Sequence, residues 1–408
     1  MTIQLETTPE NSLNPRFVSL SFLLPPKLTG QYTNHITTQS HKKMKAALLN
    51  PPSSLSNPSS STRHTIRPTR SPSRISFSTS AASSTSISFS SSPAPKPIVI
   101  VGSANADIYV EIDRLPLEGE TISARSGRTL PGGKGANQAF CSGRLSLSDH
   151  ATYMVGRVGS DAHGRLLEDS LGEGNAVRLD RLTRADSVPT GHAVVMLQPN
   201  GQNSIIIVGG ANMNGWDDKL TEEDLDVVRG AGMLLLQREI PDWVNLQVAQ
   251  AAKAAGVPVI MDAGGMDAPI PSELISLVDI FSPNETELAR LTGMPTDTFE
   301  QISQAATKCH KLGVKQVLVK LGSQGSALFI EGEDTIRQPI IPASEVIDTT
   351  GAGDTFTAAF AVALVEGKPK AECLRFAAAA ASLCVQVKGA MPSMPHRNSV
   401  IKLLQSIQ

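Results

Sequence analysis

The chain has 408 residues, of which 40% are hydrophobic and 18% charged, and this is the composition of a globular protein with a large core. Its formal net charge of −2 leaves no excess of basic residues for a nucleic acid or an anionic membrane, so we expect neither as a partner and favour small solutes. No stretch approaches the roughly 18 consecutive apolar residues of a membrane-spanning helix.

The first 95 residues have the composition of an organelle transit peptide. No Asp or Glu occurs from Asn11 to Ala106, and basic residues are scattered among serines, threonines and prolines. Such a segment buries too little apolar surface to offset its chain entropy, so we expect disorder until it is removed; a disordered linker or regulatory tail is the alternative. The serine-rich residues 76–92 favour a plastid address over a mitochondrial or cytosolic location. Translation could start at Met1 or at Met44.

One α/β domain is predicted for residues 96–408. The apolar run 97–101 ends at Gly102 and is typical of a buried strand. Short β-rich runs then alternate with amphipathic helical runs, which predicts a doubly wound, mostly parallel sheet flanked by helices. The predicted strands cover residues 153–158, 233–236, 257–262, 279–282 and 317–320. The predicted helices cover residues 243–255, 285–291 and 299–312.

Two segments interrupt this alternation and predict β-hairpins. Residues 108–122 are extended and alternating, as are residues 191–197 together with 204–208, and turns join these runs. We expect residues of about 107–131 and 190–210 to form a small antiparallel lid over the carboxyl edge of the main sheet, where ligands of such folds bind. A hairpin that only extends the edge of the sheet is the alternative.

Two polar motifs near the start of the domain are candidates for binding a polyol. In the tripeptide at 105–107, Asn105 and Asp107 can hold vicinal hydroxyls, although a cap or turn explains it equally well. Residues 132–139, with the sequence GGKGANQA, place paired glycines before a small-residue helix, so a ligand can approach the backbone there. Lys134 and Asn137 can hydrogen-bond its hydroxyls. The spacing excludes a phosphate-binding Walker loop.

Three later strands each end in polar or glycine-rich residues. Glu239 follows a buried strand and is predicted near the same sheet edge. Asn284 and Glu287 share one face of a helix start, where they fit either a Mg²⁺ beside phosphates or a capping box. The turn at 320–325, KLGSQG, fits a nucleotide in an α/β crevice or a plain strand-to-hairpin turn.

The stretch 348–354, DTTGAGD, carries the most informative chemical signal. A glycine turn that enters a helix directs free amides and the positive end of the helix dipole at one point, which suits a phosphoryl group in transfer. Asp354 can there take the proton from an attacking hydroxyl, while the amides of Gly351, Ala352 and Gly353 stabilise negative charge. An ordinary capped helix is the alternative that this stretch alone leaves open.

In their order along the chain, these motifs resemble those of the ribokinase family of carbohydrate kinases, over roughly residues 97–408. The resemblance rests on residues 102–107, 132–139, 283–287 and 348–356, and the last is similar to a highly specific family signature. It implies transfer of the γ-phosphoryl of MgATP to O5 of D-ribose and a homodimer formed through the lid. Another acceptor, such as fructose, a nucleoside or pseudouridine, or a catalytically silent relative, is the alternative.

The resemblance also implies roles for individual residues. Asp354 would be the base, with Gly351, Ala352 and Gly353 as its anion hole. The residues implied for ribose are Asn105, Ala106, Asp107, Gly133, Lys134, Gly135, Ala136, Asn137, Glu239 and Asp354. Those implied for ATP and its Mg²⁺ are Asn284, Glu287, Lys320, Leu321, Gly322, Ser323, Gln324, Gly325, Gly353, Asp354 and Ala378. Those implied for an activating K⁺, largely through carbonyl oxygens, are Asp348, Thr350, Cys384, Val387, Gly389 and Ser393.

Two positions depart from the pattern of the family. Ala378 stands where many relatives have Asn or His, and Gln324 stands where Arg is usual. Both positions concern the grip on the nucleotide, so we expect them to affect ATP affinity rather than phosphoryl transfer.

Overall fold

The computed structural model describes residues 95–199 and 203–407, so residues 1–94 of the predicted transit peptide and both candidate start sites lie outside the described residues. The strands are β1 (Ile98–Val101), β2 (Asn105–Glu111), β3 (Ser126–Gly132), β4 (Thr152–Gly159), β5 (Arg178–Ala185), β6 (His192–Leu197), β7 (Asn203–Val208), β8 (Met233–Arg238), β9 (Val259–Gly265), β10 (Ile280–Ser282), β11 (Gln316–Lys320), β12 (Ser326–Ile330) and β13 (Ile336–Gln338). The α-helices are α1 (Lys134–Leu145), α2 (Ala162–Leu171), α3 (Ala211–Asn214), α4 (Glu222–Arg229), α5 (Asp242–Ala254), α6 (Ser272–Ile275), α7 (Glu285–Thr292), α8 (Phe299–Lys311), α9 (Ala352–Val365), α10 (Lys370–Cys384), α11 (Ala390–Ser393) and α12 (Arg397–Ser406). Within the described part of the chain, no helix combines the length and the apolar character needed to span a bilayer.

Nine strands form the main sheet, in the order β13-β12-β11-β10-β9-β8-β1-β4-β5. Its pairs are parallel from β5 across to β11, and only β12 and β13 run antiparallel to their neighbours. The predicted doubly wound, mostly parallel sheet is therefore confirmed. The strand order reverses at β1, and ligands of such sheets bind in the crevice at the carboxyl ends of the strands beside that reversal.

Helices cover both faces of the main sheet, and this explains why its central strands are continuously apolar. Ile98 and Ile100 of β1 pack on one face against the helices α1, α9 and α10. Val99 and Val101 pack on the other face, against the group that includes α5 and α8. Because successive side chains of a strand point to opposite faces, a strand that is buried on both faces needs apolar residues at successive positions.

The second sheet has four strands, in the order β3-β2-β6-β7. It consists of two antiparallel hairpins, β2–β3 and β6–β7, and parallel pairing of β2 with β6 joins them. We refer to this sheet as the lid. The expectation that residues 108–122 are extended throughout was wrong, since β2 ends at Glu111 and residues 112–125 form a loop. Pro116 has no amide to donate there, and Gly119 has a φ of 76° that turns the chain.

Candidate active site

Two cavities meet at the first turn of α9. The first, of about 620 Å³, lies between the lid and the main sheet and is lined by residues that include Asn105, Glu239 and Asp354. The second, of about 380 Å³, is lined by the turn after β11 and by residues of α9 and α10. Thr349 lines both cavities. Two ligands can therefore lie side by side, with the amino end of α9 bordering both.

Asp354 lies in the first turn of α9 and is only 5% exposed. Its carboxylate accepts hydrogen bonds from Nδ2 of Asn137 at 2.9 Å and from Nε2 of Gln138 at 3.2 Å. The Lys134 ammonium lies 3.9 Å from Oδ1. Three donor groups thus hold a nearly buried carboxylate in the lining of the first cavity.

The surroundings of Asp354 favour a basic carboxylate. Burial raises its pKa above the ordinary value; Lys134 and the amides of Asn137 and Gln138 act against this rise, while the nearby carboxylate of Asp262 adds to it. The pKa of the Lys134 ammonium is raised as well, first by the charge of Asp354, so Lys134 remains a cation. A carboxylate with a raised pKa is a stronger base and is better suited to accept a proton from an alcohol.

The turn before Asp354 has the form that an anion hole requires. Gly351 adopts a φ of 79°, a left-handed conformation that glycine tolerates best. The amide of Ala352 donates to the carbonyl of Thr349 at 3.2 Å, so this one of the three predicted donors is engaged within the turn. Gly353 lines the second cavity, and a Cβ at Gly353 would lie 3.9 Å from the Lys320 ammonium. Positive charge and the helix dipole therefore converge on Gly353.

The residues predicted to bind a sugar divide into two groups. Those that line the first cavity are Asn105, Asp107, Gly133, Lys134, Asn137, Glu239 and Asp354. Ala106, Gly135 and Ala136 do not line it, because they are buried in the packing between α1 and the start of the lid. The amide of Ala136, for example, donates to the carbonyl of Ser103 at 2.8 Å.

Two contacts shape the part of the first cavity near Glu239 and Gly133. The Glu239 carboxylate accepts hydrogen bonds from Oγ of Ser103 at 2.6 Å and from the amide of Lys134 at 3.0 Å, which fixes it at the end of β8. Gly133 has a φ of 89°, and a Cβ there would lie 2.6 Å from the amide nitrogen of Asn105. Burial, followed by the charges of Glu239 and Asp354, raises the pKa of Asp107 to about 7.

The residues predicted for the nucleotide divide in the same way. Those that line the second cavity are Lys320, Gly322, Ser323, Gly325, Gly353 and Ala378. Leu321 is instead buried in the core, Gln324 does not line the cavity, and Asp354 lines the first cavity and not the second. Asn284 and Glu287 do not line it either, because they form the capping box of α7: each side chain accepts a 2.8 Å hydrogen bond from the amide of the other.

The residues predicted for a monovalent cation lie where two loops are joined. Oδ1 of Asp348 accepts from the amide of Thr350 at 2.9 Å, and Oδ2 accepts from the amide of Gly389 at 2.8 Å. Burial acts to raise the pKa of Asp348, but the side chain of Thr350, followed by the amides of Gly389 and Thr350, outweighs burial and holds the pKa below its ordinary value. Sγ of Cys384 lies 3.0 Å from Oγ of Ser393 and 3.9 Å from the carbonyl oxygen of Thr350.

That junction offers a cation mainly oxygen ligands. Val387 is largely exposed beside it. Among residues 95–199 and 203–407, no cluster of three or more His, Cys, Asp and Glu side chains could hold a metal ion. A cation at Asp348 would therefore depend on one carboxylate and on main-chain carbonyl groups, which are the ligands that hard cations prefer.

Sequence reasoning missed three residues that support the site. Asp262, at the end of a predicted strand, accepts hydrogen bonds from the Lys320 ammonium at 2.7 Å and from Oγ1 of Thr357 at 3.0 Å. Asn212 binds Asn105 from a short helix that no motif marked. Gln138 lies within the GGKGANQA motif, but its contact with Asp354 depends on how α1 packs against α9.

The similarity to known proteins extends over the residues that line both cavities. The chain matches the sequence profile described as pfkB family carbohydrate kinase over residues 96–397. It is 70% identical over 309 residues to a ribokinase of Arabidopsis thaliana, covering 76% of this chain and 81% of that protein. It is 37% identical over 311 residues to a ribokinase of Bacillus subtilis, covering 75% and 99% of the two chains. A solved structure of Arabidopsis thaliana ribokinase complexed with ribose and ATP superposes with a TM-score of 0.73, at 70% identity, over 76% of this chain and 99% of that chain.

Proposed function

The chain belongs to the pfkB family of carbohydrate kinases, as its motifs predicted, and we propose that within this family it is a ribose kinase. The enzyme transfers the γ-phosphoryl group of ATP to O5 of D-ribose, giving D-ribose 5-phosphate and ADP. One observation carries this conclusion: a carboxylate, Asp354, lines the first cavity next to Gly353, which lines the second, in a chain that is 70% identical to a ribokinase solved with ribose and ATP.

The geometry accounts for each part of the transfer. Asp354 takes the proton from the 5-hydroxyl of ribose as its oxygen attacks the γ-phosphorus, and the bond from that phosphorus to the leaving ADP oxygen breaks. The amino end of α9 stabilises the negative charge that grows on the phosphoryl oxygens, with Lys134 and Lys320 adding positive charge nearby. The lid covers the first cavity and keeps out water that would otherwise hydrolyse ATP.

We infer that the nucleotide binds with Mg²⁺ and that Glu287 faces it. The capping bond of Glu287 uses only one carboxylate oxygen, Oε2, and the charge of Glu287 acts on the pKa of Lys134 at the site. A Mg²⁺ ion typically keeps several waters and takes few protein ligands, so a single carboxylate fits it. When bound, the ion would neutralise charge on the phosphate oxygens.

We also infer a K⁺ activator at the junction of the Asp348 and Gly389 loops. Support comes from the low pKa of the Asp348 carboxylate, which keeps a negative charge there, and from the carbonyl groups around it. Asp348 lies six residues before Asp354 and bonds the turn that forms the anion hole. A cation at this junction would act by holding that turn, without contacting the reacting atoms.

The N-terminal composition supports import into the plastid stroma, with the mitochondrion or cytosol as the alternative. We propose that residues 1–95 act as the transit peptide and are removed after import. Residues 1–95 fused to a fluorescent protein should enter plastids, and N-terminal sequencing of the imported protein would locate the cleavage site. Diffuse cytosolic fluorescence would overturn this proposal.

We further propose that the enzyme is a homodimer formed through the lid. β7 is an edge strand, and its side chains Ile205, Ile206 and Ile207 are each more than half exposed. A long apolar edge strand left open to water is prone to pair with other chains, and an edge that is covered in solution avoids this. A second copy of the lid would provide such a cover.

An assay of ADP release by the purified full chain tests the proposed activity. Ribose, fructose, nucleosides and pseudouridine are offered separately with MgATP, with and without K⁺, and the product is identified by mass spectrometry and phosphorus NMR. Ribose should give the highest kcat/KM and a 5-phosphate, and K⁺ should raise the rate. Faster turnover of another acceptor, or no ADP release above the sugar-free control, would contradict the proposal.

A further inference from the structure

Two consecutive residues of α1 donate to the carboxylate of Asp354, one to each oxygen. Nδ2 of Asn137 lies 2.9 Å from Oδ2, and Nε2 of Gln138 lies 3.2 Å from Oδ1. Asn137 lines the first cavity, whereas Gln138 is fully buried and does not line it. Gln138 therefore reaches the carboxylate from behind and makes no direct contact with a sugar in the first cavity.

A second buried amide sets the orientation of Gln138. Gln237, which is fully buried in β8, donates from Nε2 to Oε1 of Gln138 over 2.7 Å. Because this bond occupies the carbonyl end of Gln138, its NH₂ end faces Asp354 and can only donate. The reversed orientation would bring two NH₂ groups together and place a carbonyl oxygen against a carboxylate.

The position of Gln237 is itself restricted. Its main-chain carbonyl accepts a 2.9 Å hydrogen bond from Nδ2 of the buried Asn245. A Cβ at Gly102 would lie 2.0 Å from Oε1 of Gln237, so the side chain needs a glycine at the end of β1. Gln237, Gln138 and Asp354 thus form a chain of hydrogen bonds that leads from the end of the sheet to the reacting site.

We propose that Gln138 is a positioning residue for the general base and that Gln237 is the anchor that orients it. This inference rests on the proposed function, because it takes Asp354 as the base. A donor that is fixed on Oδ1 restricts rotation of the carboxylate and favours its ionised form over the acid. The bond therefore helps to keep the base ionised against the effect of burial, which favours the protonated acid.

Other charged groups also face this carboxylate and limit what the amide can contribute. Lys134 favours the ionised form, and Asp262 opposes it. Asp107 lies close enough to Asp354 that the charge of Asp354 raises the pKa of Asp107. Loss of the Gln138 bond should therefore shift the acid limb of the pH profile to higher pH without abolishing the ionised base, since Lys134 and Asn137 remain.

The test compares Gln138→Met, which keeps the length of the side chain without its amide, with Ser142→Ala as a control. Ser142 is another fully buried residue of α1, and it makes no hydrogen bond to Asp354. We expect Gln138→Met to lower kcat about tenfold and to raise the pKa of the acid limb of kcat, with KM for ribose changed less than about threefold. Ser142→Ala should change none of these values.

Gln237→Met provides a second, independent variant. It should lower kcat less than Gln138→Met does and move the acid limb in the same direction. The double variant should lose no more than Gln138→Met alone, because the anchor acts through Gln138. If Gln138→Met does not fold, a shift of the acid limb to higher pH in Gln237→Met supports the positioning role, and an unchanged acid limb in that variant overturns it.

The outcomes separate this inference from the proposed function. If wild type does not phosphorylate ribose, the proposed function fails. If wild type is active but Asp354→Asn turns over normally, Asp354 is not the base, and the positioning role of Gln138 fails with that assignment. If wild type is active and Asp354→Asn is not, an unchanged pH profile in folded Gln138→Met overturns the positioning role alone. A raised KM for ribose with unchanged kcat, or additive losses in the double variant, would overturn it as well.

Discussion

The Lys320 ammonium lies 2.7 Å from Oδ2 of Asp262, and this ion pair connects the second cavity with the buried interior beneath α9. Asp262 is almost completely buried, and its pKa is held down at about 2: burial opposes ionisation, and the charges of Lys320 and Lys134 outweigh it. Asp262 therefore stays ionised and holds Lys320 beside Gly353.

Lys320→Met should destabilise the protein by about 3 kcal/mol, because it leaves a buried carboxylate without its main partner. It should also lower kcat/KM for ATP at least about tenfold, since the ammonium lines the nucleotide side of the site. Chemical denaturation and steady-state kinetics measure the two effects.

Lys253→Met is the matched control: its partner is Asp279 and its side chain is 47% exposed, so it should cost less than about 1 kcal/mol. Equal losses in the two variants would contradict this prediction.

Asp354→Asn should reduce kcat about a thousandfold, because the amide cannot accept the proton of the hydroxyl. Ribose binding should weaken only slightly, since the side chain keeps its size and Asn105, Asp107 and Glu239 still line the cavity. Single-turnover kinetics and calorimetric titration with ribose separate the two effects. Turnover within about tenfold of wild type would show that another group accepts the proton.

Asn212→Ala should raise KM for ribose about tenfold and leave kcat nearly unchanged. The reason is that Nδ2 of Asn212 donates a 2.7 Å hydrogen bond to Oδ1 of Asn105, while its Oδ1 accepts from the amide of Ala104 at 2.9 Å. The control is Asn214→Ala in the same short helix. Among the residues that the structure describes, the side chain of Asn214 makes a single 3.4 Å hydrogen bond, to the carbonyl of Gly210. Similar KM values for the two variants would count against the role given to Asn212.

These two pairs show what the sequence could not predict. Asn212 and Asn105 are 107 residues apart in the chain, and Lys320 and Asp262 are 58 apart. The first contact depends on how the short helix α3 packs beside β2, and the second on the order of β9, β10 and β11 in the main sheet. No local pattern in the sequence encodes either arrangement. The residues that were predicted, such as Asp354, share a simpler signal: glycines and polar groups placed where an apolar strand or a helix begins or ends.

The strands that were predicted differ from those that were missed in their position in the sheet and in their apolar content. The central strands β1, β8 and β10 are covered on both faces, and each begins with a continuous apolar run, which the sequence reveals. β5 lies at the edge of the main sheet, and four of its eight residues, Arg178, Asp180, Arg181 and Arg184, are charged, so its pattern resembles that of a loop. β13, at the other edge, has only three residues.

Asp107→Asn should stabilise the protein at alkaline pH and weaken ribose binding. Burial, Glu239 and Asp354 raise the pKa of Asp107 from 3.8 to about 7, so the folded protein binds a proton there that the unfolded chain releases above about pH 4. The free energy of unfolding of the wild type therefore falls as the pH rises from about 4 through about 7. The Asp107→Asn variant has no carboxylate at this position and does not lose this stability. The melting temperature should exceed that of wild type by about 3 °C or more at pH 8, and by less at pH 5.

Asp180→Asn controls for the loss of one exposed carboxylate. It should shift the melting temperature by the same small amount at both pH values. If Asp107→Asn were less stable than wild type at pH 8, the carboxylates of Glu239 and Asp354 would not repel that of Asp107 as described.

Ile206→Glu should convert the proposed dimer into monomers. Ile206 is 55% exposed on the edge strand β7, and a carboxylate there would have to be desolvated if a second lid covered it. Sedimentation equilibrium measures the mass directly. Leu312→Glu is the control, because Leu312 is also an exposed apolar residue but follows α8, on an element outside the lid. If wild type sediments as a monomer at micromolar concentration, the dimer proposal is wrong. If both variants dissociate equally, the interface does not lie on the lid.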